Sequence, residues 1–294
     1  MDNFDNNAVG AERSEHSRRV ERVRQTVKGG TRMITLASGK GGVGKSSFAV
    51  NLAVALSQLG SRVLVVDADF GLANIDVMLG AQTKFNIAHF LRGEKKLDDI
   101  VHIGYDGVRF ISGGSGVAEL LKIDNMQLVK LMNGLNGLDM AVDFILCDAG
   151  AGVYDSLLKM VDASSETIIV TTPEPTAMLN SYALIKRITN HDREHPLSVV
   201  MNQAENLAEA DRVYSGFSDM LHKNLGRDVE CYGRIVTDKG VSRSIKRQTP
   251  VMISAPKSSY ARDIRTIARK MLNLPPQQEY ANIFARLIGE MKGE

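Results

Sequence analysis

The chain has 294 residues, 44% hydrophobic and 24% charged, with a formal charge of +2, so it has material for a sizeable core and no bulk charge calling for nucleic acid. Its two cysteines, Cys147 and Cys231, form no CxxC pair, which argues against a disulfide framework or a zinc site and suits a reducing cytoplasm. No apolar run is long enough to span a bilayer, and the polar opening "MDNFDNNAVGAERSEHSRRV" does not read as a signal peptide, so a cytoplasmic protein is expected.

Residues 1–30 have mixed charges and few large apolar side chains and read as a flexible arm ending in Gly29-Gly30. Within it, Glu12 to Lys28 suits a helix once a partner covers Val20, Val23 and Val27. From Arg32 onward, short β-branched runs alternate with helical patterns. "RMITLAS" reads as a strand, "KSSFAVNLAVALSQLG" as a helix closed by Gly60, and "RVLVVDAD" as a strand again. "VRFISGG", "FILCDAG", "ETIIVTTP" and "LSVVMNQA" continue the strands, with "YDSLLKMVDAS" and "TAMLNSYALIKRITNHD" as helices between them. Apolar strands separated by helices predict a doubly wound, mostly parallel α/β sheet. The alternation fades at Pro275-Pro276, which divides a main domain of residues 31–274 from a segment 275–294. That segment, "EYANIFARLIGEMKGE", repeats apolar residues at helical spacing. The stripe fits a helix packed on the core as well as it fits an amphipathic surface helix.

"GKGGVGKS" follows one strand and opens a helix, the context a phosphate-binding loop requires. Its glycines let successive N–H groups turn toward phosphate oxygens, and the helix adds its positive end. The cradle is read as Gly39, Lys40, Gly41, Gly42, Val43, Gly44, Lys45, Ser46 and Ser47. Lys45 is placed to reach the β- and γ-phosphates and the Ser46 hydroxyl to ligate Mg²⁺. Carboxylates follow at strand ends, where open α/β sheets hold ligands: Asp67 and Asp69 in "VVDADFG", and Asp148 in "FILCDAGAG". Asn202 ends another strand, and its amide can donate and accept at once, as the edge of adenine does.

The extra lysine, Lys40, makes the loop resemble one family, the deviant Walker A ATPases written KGGxxGK[ST], which include MinD, ParA, the nitrogenase iron protein and flagellar FlhG. The resemblance implies ATP or ADP with Mg²⁺ as cofactors and slow, effector-stimulated ATP hydrolysis. It implies an ATP-dependent homodimer in which Lys40 reaches the nucleotide of the other subunit. It assigns Asp69 to orienting the attacking water, Asp67 to the metal shell and Asp148 to Mg²⁺ through water. Gly150 lies in the switch loop, where many members have proline instead, and Asn202 takes the adenine-reading position. The tail stripe is, by the same resemblance, a reversible membrane anchor at Ile283, Phe284, Leu287 and Ile288.

Within the family, "DFGLANIDVMLG", "ISGGSGVAELLKID" and "DAGAG" are most similar to the FlhG (YlxH) branch, which governs flagellar number and position. The resemblance covers residues 31–294 and implies the SRP-type GTPase FlhF and flagellar C-ring proteins as partners. Residues 1–30 lack the DQAxxLR motif through which FlhG proteins stimulate FlhF. Two alternatives stay open: a division-site MinD, and a ParA-like segregation ATPase, for which Lys239, Arg243, Lys246 and Arg247 supply a basic run. An iron–sulfur relative lacks the paired cysteines it needs.

Overall fold

The computed structural model describes residues 30–70, 74–114, 123–138, 141–152 and 155–275. The expected arm and tail helix, with Ile283, Phe284, Leu287 and Ile288, lie outside them. Eight strands form one sheet: β1 (Arg32–Ala37), β2 (Val63–Ala68), β3 (His102–Ile103), β4 (Arg109–Ile111), β5 (Phe144–Ala149), β6 (Glu166–Thr171), β7 (Leu197–Ala204) and β8 (Glu230–Val236). Their order is β3-β4-β2-β5-β1-β6-β7-β8. Every ladder is parallel except the short antiparallel β3–β4 pair at one edge. The doubly wound, mostly parallel sheet expected from the alternation of runs is therefore present.

The helices follow in chain order. They are α1 (Lys45–Gln58), α2 (Ile75–Met78), α3 (Ile87–Leu91), α4 (Asn125–Asn136), α5 (Asp155–Ala163), α6 (Pro175–His191), α7 (Leu207–Leu225), α8 (Lys239–Lys246), α9 (Val251–Ser254) and α10 (Ser259–Met271). Local chemistry sets several ends. Pro175 opens α6, where a missing N–H costs nothing. The Asn206 side chain accepts from Glu209 N at the start of α7. Gly60 turns the chain after α1 at φ 96, a region most side chains avoid.

The core has two layers. On one face of the sheet, Leu36, Leu146 and Val170 pack with Phe48 and Leu52 of α1 and Ile264 and Ile267 of α10. On the other, Val66, Cys147 and Ile169 pack with Leu131 of α4 and Leu184 and Ile188 of α6. The sequence of α1 is apolar on nearly all sides because the helix lies between the sheet and α10. From β1 the chain passes through α1 toward β2, while neighbouring β6 leads through α6 toward β7 on the opposite side. The carboxyl ends of β1 and β6 thus form the switch point at which such sheets bind ligands.

Candidate functional site

The loop from β1 to α1 begins at this switch point. Gly42 and Gly44 take left-handed φ of 82 and 84, which a glycine adopts without strain. The remaining glycines answer to close approach or to none. A Cβ on Gly39 would collide with the backbone of Asn180 and Ser181 in α6, whereas Gly41 faces open space. The loop is therefore pressed against α6 at its start and open at its middle.

Lys45, first residue of α1, points back under the loop. Its Nζ lies 2.6 Å from Asp148 Oδ1 at the end of β5, and the two side chains are only 6% and 1% exposed. Asp148 Oδ2 is buried without a hydrogen-bond partner among the described residues. Asp67, on β2, stands beside Asp148 in register. Its Oδ2 accepts from Asn74 N at 2.8 Å and from Ile75 N at 2.9 Å, so it also fixes the start of α2. Burial first, and then the charge of Asp148, push its pKa up from 3.8 to about 7, against three backbone N–H bonds that pull the other way. Asp69 is half-buried, its pKa raised chiefly by burial and opposed by Lys45. It faces the switch loop: a Cβ at Gly150 would sit 3.2 Å from Asp69 Oδ1. Gly152, at φ 117, donates its N–H to Ser38 O at 2.9 Å and draws that loop to the base of the phosphate loop.

Asn202 has a role the sequence did not display. Its Nδ2 donates to Val43 O at 2.8 Å, and a Cβ at Gly44 would come within 2.5 Å of the same nitrogen. The side chain therefore ties β7 to the phosphate loop. Its neighbour Gln203 reaches Gly42 O at 3.3 Å from a left-handed φ of 56. Beside them a cavity of about 380 Å³ is lined by Gly44, Ser47, Asn202, Thr237, Asp238, Val241, Ile245 and Tyr260. The segment after β8 thus closes over the space next to the loop.

Lys40 behaves differently from Lys45. It is 39% exposed, and its Nζ meets Glu174 Oε2 at 2.6 Å and Thr176 Oγ1 at 3.1 Å at the start of α6. The family resemblance directs this lysine to the other subunit; within its own subunit the structure pairs it with Glu174. Ser46 is half-buried beside Lys45 at the start of α1.

A Mg²⁺–nucleotide suits these residues. Magnesium keeps most of its waters and needs few protein ligands, and the unpaired Asp148 oxygen is a carboxylate oriented for one. The left-handed glycines shape a cradle of backbone N–H groups beside it.

The family model described as "ParA: NUBPL iron-transfer P-loop NTPase" matches residues 30–272. The chain belongs to the MinD/ParA family of P-loop ATPases. Among its relatives, "Antiactivator FleN" of Pseudomonas aeruginosa is 32% identical over 246 residues, covering 83% of this chain and 87% of that protein. "Flagellum site-determining protein YlxH" of Helicobacter pylori is 34% identical over 242 residues, covering 82% of each. Among solved structures, the septum site-determining protein MinD of Pyrococcus horikoshii, complexed with Mg-ADP, superposes with a TM-score of 0.69 at 25% identity. That match covers 82% of this chain and 96% of MinD. The iron-transfer part of the family description finds no ligand set among the described residues. Cys147 is fully buried in β5, where burial raises its thiol pKa to about 12, and Cys231 lies on the distant β8. Among the described residues no helix is long and apolar enough to cross a membrane.

Proposed function

We propose that this chain is an ATP-hydrolysing switch that dimerises when it holds ATP and that sets the number and placement of flagella. The observation that carries the reading is the contrast between its two loop lysines, one buried on Asp148 and the other at the surface on Glu174. A lysine at the rim of the loop serves a second subunit better than it serves its own. The names of two relatives, an antiactivator and a flagellum site-determining protein, support the cellular task.

The residues divide the work. Lys45 would exchange Asp148 for phosphate oxygens, and Asp148 and Ser46 are the residues that would hold Mg²⁺. Bound Mg²⁺ supplies neutralisation of the phosphate charge. Asp69, half-buried and next to the switch glycine Gly150, holds the water that attacks. Asp67 couples this centre to α2 through its two backbone N–H bonds. Asn202 keeps the loop in shape and offers its amide to the base in the adjoining cavity.

Size-exclusion chromatography with ATP tests the switch. Lys40→Ala should keep nucleotide affinity and stay monomeric, while Asp69→Ala should bind ATP, fail to hydrolyse it and accumulate as dimer. Equal loss of binding in Lys40→Ala and Lys45→Ala would place both lysines in one site and overturn the dimer assignment. In cells, replacing the gene with the Lys45→Ala form should alter flagellar number or position. Normal flagella with misplaced septa or mis-segregated DNA would move the chain to the MinD or ParA branch.

A further inference from the structure

Helix α1 is apolar on nearly every side, yet it buries two neutral polar side chains on one face. Ser47 and Asn51 stand at i and i+4, 6% and 2% exposed, where α1 meets α9 and α10. Asn51 has a structural task. Its Nδ2 donates to Ser47 O at 2.8 Å and its Oδ1 accepts from Met252 N at 3.0 Å, so it braces the start of α9 against the helix of the phosphate loop. Ser47 Oγ and Tyr260 Oη have no such task. They lie 3.5 Å apart, long for two hydroxyls, and among the described residues each hydroxyl has only the other as a partner. Tyr260 is in the first turn of α10, whose start is fixed by Ser258 accepting from Ala261 N at 3.2 Å and by Asp238 accepting from Ser259 Oγ at 3.0 Å. Packing in the apolar layer accounts for its ring. A phenylalanine would pack there equally well without burying a hydroxyl.

Both residues also line the cavity beside the phosphate loop, together with Gly44 and Asn202. Lys45 turns the other way, to Asp148. A nucleotide with its base in the cavity and its terminal phosphates at Lys45 must pass Ser47 in between, with the phosphate nearest its ribose. We infer that Tyr260 is a positioning residue for that nucleotide: its phenol fixes the Ser47 hydroxyl so that the Ser47 proton points at the phosphate next to the ribose. The inference rests on the nucleotide reading of the site and adds to it a residue 213 positions from Ser47 in sequence. The direction of the hydrogen bond follows from the proton inventory. Phenol and alcohol can each donate one proton. Burial pushes the Tyr260 pKa up to about 12, so the phenol keeps its proton at neutral pH. Ser47 Oγ is the only acceptor for it among the described residues, which leaves the Ser47 proton free to face the cavity. A helical serine without such a neighbour can turn its proton back onto the carbonyl of the preceding turn. No proton is transferred; Tyr260 acts by orientation, and only through Ser47.

Calorimetry of the full chain with Mg-ADP, alongside thermal melts of the same variants without nucleotide, tests this. Tyr260→Phe keeps the ring and removes the hydroxyl. It should weaken Mg-ADP binding roughly 3- to 10-fold, the effect of one hydrogen bond, and leave the thermal midpoint where it is. Under turnover the KM for ATP should rise by a larger factor than kcat falls. Ser47→Ala should weaken binding at least as much, and adding Tyr260→Phe to it should weaken binding no further. Undiminished binding by Tyr260→Phe, or losses that add in the double variant, overturns the inference and leaves the nucleotide reading standing. A lowered midpoint in Tyr260→Phe with unchanged affinity makes the phenol a purely structural group and also overturns it. If wild type does not bind Mg-ADP, the nucleotide reading falls and the inference with it.

Discussion

Lys45 and Asp148 form a buried ion pair across the mouth of the sheet, 2.6 Å apart. A charge held out of water needs a partner, and each of these residues has the other. Nucleotide binding must therefore exchange one set of electrostatic partners for another. Removing one member strands the second, at a cost of about 3–5 kcal/mol. Lys45→Ala should lower the thermal midpoint markedly as well as abolish nucleotide binding. Adding Asp148→Asn should restore most of the stability and none of the binding. Additive losses in a double-mutant cycle by thermal melting would show that the pair does not couple.

Asp67 should give the nucleotide-free protein a pH dependence of its own. Its pKa is raised from 3.8 to about 7, so between those values the folded protein keeps a proton that the unfolded chain releases. Stability from this group is present at low pH, falls as pH rises from about 4 to about 7, and is level above that. The slope is at most about 1.4 kcal/mol per pH unit. Asp67→Asn keeps an acceptor for Asn74 N and Ile75 N and removes the slope. Urea melts of both proteins across this range should converge at the acid end. Parallel curves would mean that Asp67 titrates normally.

Two loop glycines should respond oppositely to the same methyl group. Gly39→Ala drives a Cβ into the α6 backbone at Asn180, and overpacking of this kind costs about 1–3 kcal/mol. Gly41→Ala meets nothing within 4 Å and should leave stability unchanged. Chemical denaturation of both variants measures this difference; equal midpoints would show that α6 yields freely.

Asn202→Ala should release the Val43 carbonyl and weaken binding of both ADP and GDP, because the tie holds the loop whichever base is bound, with the larger loss for ADP if its amide also reads adenine. Calorimetry with both nucleotides separates this from base reading. Unchanged GDP affinity alongside weakened ADP affinity would leave adenine recognition as the whole role.

Much of this was visible in the residues. The parallel sheet shows in runs such as "RVLVVDAD" and "FILCDAG" because both faces of those strands are buried, and the loop shows because few backbones turn so sharply without glycine. β8 was not visible. As an edge strand it pairs only with β7, and its "ECYGRIV" mixes polar residues with a glycine. That glycine is required because the Ile267 side chain occupies the place of its Cβ. The partners Glu174, 134 residues from Lys40, and Val43, 159 residues from Asn202, are contacts made by the fold, and no local spacing encodes them. Gln248 takes a left-handed φ of 52, a backbone requirement that no glycine in the sequence announces.

One contact at the far end of the sheet gives the molecule a direction. Arg32, at the start of β1, pairs with Glu166 and donates from Nη1 to Met271 O at 2.9 Å, joining the first strand to the end of α10. Tyr232 completes the knot by donating to Glu166 Oε2 at 2.8 Å. The two chain extensions accordingly depart from the amino-terminal edge of the sheet, while phosphate loop and cavity occupy the carboxyl-terminal edge. A partner can grip either extension without standing in the path of nucleotide exchange. The exits of both extensions and the phosphate loop thus stand at opposite edges of one sheet.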